Sequence, residues 1–230
     1  IRGMRAIALP GPVTIAVLPH APNTAYLVRQ ASRSGKDIIV HQPMQAHPSA
    51  HASRERRTLM LDMHEQEFAR MTAAALDAVP GRIGLSNHTG SLLTAHRAPM
   101  QQLMTLLRQR DLFFLDSRTT AATVAWDVAR EHGVPAVRRD VFLDHDPSPQ
   151  AIHLAFERAL QIARRKGRAV LIGHPYDISL DYLEARLADL PADINLVTVA
   201  ELALRQTQFS RPAMLAQPPR LASPHISPGP

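Results

Sequence analysis

An amide, an imidazole, two hydroxyls and a glycine crowd into Asn87-His88-Thr89-Gly90-Ser91, directly after the apolar residues Ile83 and Leu85. A turn that only reverses the chain needs Gly, Asn or Pro. A histidine there points instead to a ligand or a proton. The pattern recurs: Val13–Leu18 runs into Pro19-His20, Asp37–Val40 into His41, and Leu112–Leu115 into Asp116. Ala136–Leu143 runs into Asp144, and Arg168–Ile172 into Gly173-His174. An even spread of 12 histidines over 230 residues would not put four of them at the ends of apolar runs. Neutral imidazole suits zinc and similar metals, with carboxylate completing such sites. It also carries protons near neutral pH.

The candidates differ in how easily a structural role explains them. His41, His88 and His174 each follow an apolar run, and Gly173 permits close approach of a ligand to His174. Asn87 and Ser91 share the polar strand end of His88. Asp116 reads as a site carboxylate, or as a helix cap or partner of Arg118. Asp140 sits among arginines, and Asp144 ends its run. His20, between Pro19 and Ala21, reads as a loop residue bonding backbone. His47, His51, His64, His96, His132 and His153 fall in loops or on helices and are expected to be exposed, and Trp126 is expected in the core.

The elements that must carry these residues alternate. Helices are predicted from Asn23 to Ser34, Leu61 to Val79, Ala95 to Arg110, Thr120 to His132, and Pro149 to Lys166. Another runs from a Ser179 cap to Leu190, and a short one ends near Gln206. Strands fall between them, the third at Arg82–Ser86 and the last at Ile194–Val199. Gln42 to Thr58 reads as a polar loop. Strand–helix alternation implies parallel strands with helical crossovers, in either a doubly wound sheet or a β/α barrel. In both, ligands bind at the carboxyl ends of the strands. One domain over residues 1–206 is expected, followed by a proline-rich, disordered tail over 207–230.

Composition narrows the chemistry. There is no cysteine, which excludes disulfides, thiolate metal sites and thiol nucleophiles. No apolar run reaches the roughly 18 residues of a spanning helix, so no stable membrane insertion is expected. Net charge is +6, but the arginines are scattered among acids and not interleaved with aromatics. Nucleic-acid binding is therefore not expected. The charge would suit anionic envelope polymers.

Six motifs, in order, resemble one family: Leu9-Pro-Gly-Pro-Val-Thr-Ile-Ala-Val-Leu-Pro-His20, His41-Gln-Pro-Met44, Asn87-His-Thr-Gly-Ser91, Phe114-Leu-Asp-Ser-Arg-Thr119, Arg139-Asp-Val-Phe-Leu-Asp144 and Ile172-Gly-His-Pro175. The stretch from Leu9 to Leu204 is similar to the divergent polysaccharide deacetylases (the YibQ-like proteins). The resemblance implies an α/β fold, a distorted NodB-like (β/α)7-type barrel. It also implies a hydrolase that removes N-acetyl groups from a glycan with a divalent metal, zinc above all. His41 and His88 fall where metal-binding histidines are expected. His174 falls at the late catalytic histidine, with Asp116 orienting the leaving amine, and Asn87, Ser91 and Asp144 toward substrate. The family's first strand ends in Asp-Asp, which supplies the third metal ligand. No Asp precedes Asp37 here, so that strand and ligand are expected upstream of Ile1. Family members are commonly periplasmic or exported. Loss of those aspartates would favour a non-catalytic, glycan-binding version of the fold.

Overall fold

The computed structural model describes residues 2–48 and 57–210. Strands β1 (Ile15–Val17), β2 (Ile38–Met44), β3 (Gly84–Thr89), β4 (Phe113–Asp116) and β5 (Ala136–Arg138) form one parallel sheet in sequence order. Strands β6 (Val141–Phe142) and β7 (Leu171–Ile172) form a second parallel pair. A doubly wound sheet reverses its strand order at a switch point; this sheet never reverses. Sequential right-handed crossovers put the connecting helices on one face, as in a barrel. The fold is a distorted, open α/β barrel, an arc of five strands beside a separate pair.

Side chains alternate across each strand, and this sorts the two faces. Val17, Val40, Leu85 and Phe114 lie in the larger core cluster. Helices α2 (Thr24–Arg33), α3 (Glu65–Asp77), α4 (Arg97–Arg108) and α5 (Ala125–Glu131) cover them through residues such as Val28, Phe68, Leu103 and Val128. Ile39, Phe113, Leu115 and Val137 face the other way, toward Val170 and Ala203. Helix α8 (Val199–Ser210) lies on this inner face. Gly84 also points inward; a Cβ there would come within 2.7 Å of the Phe113 ring, so the close packing of β3 on β4 requires glycine.

Helix α6 (Pro149–Lys166) has the predicted boundaries. Ser148 accepts a bond from the Ala151 amide, proline stands in the first turn, and Gly167 closes the helix at φ 74°. Elsewhere the structure differs from the sequence reading. The run Ala136–Leu143 is not one strand. The Arg139 amide donates to the Asp116 carbonyl, whereas the Asp140 amide donates to the Val170 carbonyl. The chain leaves β4 at that step and joins β7. Asp140 fixes the exchange, its carboxylate accepting from the Val170 amide at 3.0 Å, which is a structural role.

Ile194–Val199 forms no strand; α8 begins at Val199 and buries the inner face instead. It also runs past Gln206 to Ser210. Helix α1 (Arg2–Ala8) was not foreseen. Arg2 and Arg5 tie it to Asp177, Asp181 and Glu184 of α7 (Asp177–Ala188). Helix α7 therefore starts before Ser179, which is not its cap. Strand β2 continues through Met44, beyond the predicted start of the polar loop. His51 and the proline-rich stretch from 211 lie outside the described residues. No helix among the described residues is long and apolar enough to cross a membrane.

Candidate active site

The inner face carries the histidines. Strand β2 turns Ile39 inward, so His41 points inward two residues later. Strand β3 does the same with Gly84, Ser86 and His88. The β2–β3 register sets His41 opposite Ser86 and Pro43 opposite His88. His41 and His88 are thus diagonal neighbours on one face. Their ring centroids lie 4.9 Å apart, edge to face.

The His41 Nδ1 lies 2.7 Å from the Ser86 hydroxyl oxygen, which leaves Nε2 as the nitrogen for a ligand. Burial pushes the His41 ring down to about 3, helped by His88 and then His174 nearby. His41 is therefore a neutral imidazole at any physiological pH. His174, whose charge contributes to that lowering, lies two residues beyond β7 of the second sheet.

His174 is held by a carboxylate. Asp144 follows β6 and its side chain is fully buried. Its Oδ1 lies 3.1 Å from His174 Nδ1, and its Oδ2 accepts from the His174 amide at 2.6 Å. The Ser179 hydroxyl donates to the same Oδ2 at 2.9 Å. Burial works to raise the Asp144 carboxyl, but these donors outweigh it and hold the carboxyl below its ordinary range. An ionised Asp144 fixes the proton on Nδ1 and turns Nε2 outward. The His174 ring is 42% exposed, with Phe142 and Tyr176 rings 5.2 and 5.3 Å away. A serine, an aspartate and a histidine together suggest a nucleophilic triad. The order of bonds excludes it, because Ser179 is buried and bonds the aspartate rather than the imidazole.

The remaining candidates face elsewhere. Asn87 and Asp116 alternate with the inward residues and point toward the helices, both fully buried. The Asn87 amide donates to the Thr89 carbonyl and accepts from the Ser117 amide, clamping the ends of β3 and β4. The Asp116 carboxylate accepts from the Arg118 amide and the Thr123 hydroxyl. Burial raises its pKa against those bonds. Ser91 Oγ accepts from the His47 amide at 2.9 Å. His20, after the edge strand β1, lies 2.8 Å from the Arg57 guanidinium, and burial with that charge lowers its pKa. Trp126 is only partly buried, between the guanidinium groups of Arg130 and Arg138.

The turn itself is strained. Thr89 has φ 54°, a conformation that β-branched residues avoid. Its hydroxyl donates to the Met44 carbonyl at 2.7 Å, and its carbonyl accepts from Asn87 and Thr119. Gly90 follows at φ 94°, where a Cβ would lie 2.9 Å from that of Met44. Asn87 and its neighbours thus hold the strained backbone that carries His88.

Residues 2–203 match the sequence profile of the divergent polysaccharide deacetylases. The chain belongs to that family. YibQ of Escherichia coli, an uncharacterized protein, is 34% identical over 220 residues, which are 96% of this chain and 67% of that one. An uncharacterized protein of Haemophilus influenzae is 37% identical over 195 residues, 85% of this chain and 69% of that one. The crystal structure of the uncharacterized protein ATU2773 from Agrobacterium tumefaciens superposes with a TM-score of 0.76 at 21% identity. That match covers 80% of this chain and 75% of the other, and it carries the fold.

For a divergent polysaccharide deacetylase, the donors fit a divalent metal in kind: two imidazoles on one face, one of them locked neutral. They fall short in number. Among the described residues, no group of three or more His, Cys, Asp or Glu side chains could hold a metal ion. Two site residues escaped the sequence reading. Ser179 resembled a helix cap, and Ser86 looked like the apolar strand's last residue. Only the pairing of β2 with β3 reveals that Ser86 faces His41.

Proposed function

We propose that this chain forms the core of a metal-dependent de-N-acetylase acting on a glycan of the cell envelope. The carrying observation is the His41–His88 pair on one inner face, ring centroids 4.9 Å apart, with His174, backed by a buried carboxylate, close enough to act electrostatically on His41. Family membership supports the reaction class.

His41 and His88 are the imidazole ligands in this reading, completed by a donor outside the described residues. A bound divalent metal, zinc above all, would supply an acidified water and a polarised carbonyl. The protein's own residues do the rest. Ser86 keeps His41 in one orientation. With its Nδ1 proton held by Asp144, His174 takes up a second proton at Nε2, becomes imidazolium, and passes that Nε2 proton to the leaving amine while Asp144 steadies the ring charge. Asp116 and Asn87 act at one remove, by holding the loops after β3 and β4. The donor shortfall favours a second reading, a glycan-binding protein on the same fold without hydrolysis.

Acetate release from N-acetylglucosamine oligomers by the full-length protein separates the two. The hydrolase reading expects zinc-dependent release that His174→Ala abolishes with zinc content intact, and zinc loss in His88→Ala. Binding of the oligomers without acetate release would leave the second reading standing.

A further inference from the structure

We propose that Ser179 is a positioning residue that acts through Asp144 to hold the His174 ring in one orientation and one tautomer. The inference rests on the acid–base role given above to His174.

Asp144 has two oxygens and three donors. Oδ1 faces His174 Nδ1, while Oδ2 takes both the His174 amide and the Ser179 hydroxyl. Both of the other donors belong to His174 itself and move with it, so they do not fix the carboxylate against the rest of the protein. Ser179 supplies a second donor on the same oxygen, which pins the plane and keeps Oδ1 on the ring. Ser179 is fully buried, so no water replaces its hydroxyl when the side chain is truncated. It stands in the first turn of α7, and that helix is anchored on its outer side by Arg2 and Arg5. The rigid element is thus the helix, and the serine carries its position to the carboxylate. Hydrogen-bond partners behind a functional imidazole fix its tautomer and ring orientation.

The test uses the full-length protein labelled with 15N-histidine, with His174 assigned against His174→Gln. Wild type is expected to show a single tautomer with the proton on Nδ1. Ser179→Ala is expected to show a mixture of both tautomers, and Ser179→Thr, which keeps the hydroxyl, to restore the single form. On N-acetylglucosamine oligomers, Ser179→Ala is expected to lower kcat about tenfold with KM unchanged. If Ser179→Ala does not fold, Ser179→Cys, a weaker donor of similar size, makes the same comparison. An unchanged His174 spectrum in the folded variant overturns the proposal. If wild type releases no acetate, the de-N-acetylase reading falls, and the spectrum still decides the role of Ser179.

Discussion

The two sheets each deliver a histidine to the rim, and they treat it differently. His41, on the five-stranded sheet, meets a neutral hydroxyl from Ser86 and is pressed to a pKa of about 3 by burial. His174, just beyond the two-stranded pair, meets the ionised Asp144 and stays 42% exposed. Burial beside a neutral partner makes an imidazole a permanent lone-pair donor. A carboxylate behind a partly exposed ring makes it a proton carrier. On the proposed reading, one fold offers a ligand and an acid from the same residue type, by choice of neighbour.

Removing the acid gives the largest expected effect. His174→Ala should lower kcat for acetate release by about 10²–10⁴-fold while zinc content, read by elemental analysis, stays at the wild-type level. Equal losses of zinc in His174→Ala and His41→Ala would erase the distinction between the two histidines. Next comes the carboxylate. Asp144→Asn replaces an acceptor of three bonds with a group that donates, and should cost about 2 kcal/mol of stability in urea unfolding besides its effect on rate.

Ser86→Ala should weaken zinc binding by about tenfold without moving kcat at saturating metal. A loss of rate with unchanged affinity would move Ser86 from the metal to the chemistry. The pH dependence is finer. The His41 pKa falls from 6.5 in the unfolded chain to about 3 in the folded one. Below pH 6.5 the unfolded chain takes up a proton that the folded protein refuses. Metal-free protein should therefore lose stability steadily between pH 6.5 and about 3, and His41→Gln should flatten that slope. Asp144 acts in the same direction at lower pH: its depressed carboxyl contributes stability that is lost as pH falls through its folded pKa. The smallest effect on rate belongs to the outward face. Asp116→Asn should leave kcat within about twofold, since its carboxylate bonds the Arg118 and Trp126 backbone and the Thr123 hydroxyl on the outward face.

His41, His88 and His174 were legible because each ends an apolar run, and parallel strands end on a common side. Asn87 and Asp116 end such runs too, yet they face the helices. Strand ends are visible in sequence, whereas the face depends on the alternation phase, and a one-residue slip inverts it. Ala136–Leu143 looked like one strand because every residue in it suits a strand. Its break at Arg139 and Asp140 comes from partners on different strands. Ser179 looked like a cap because serine favours that position; its real partner is 35 residues away.

The sequence alone determined the parallel α/β layout, the helix boundaries around Ser148 and Gly167, and which imidazoles could meet. Those depend on local periodicity and on backbone chemistry at single residues. Only the tertiary structure decided which neighbour each imidazole received, Ser86 for His41 and Asp144 for His174. Register and strand exchange set those pairings, and they arise from contacts between segments far apart along the chain.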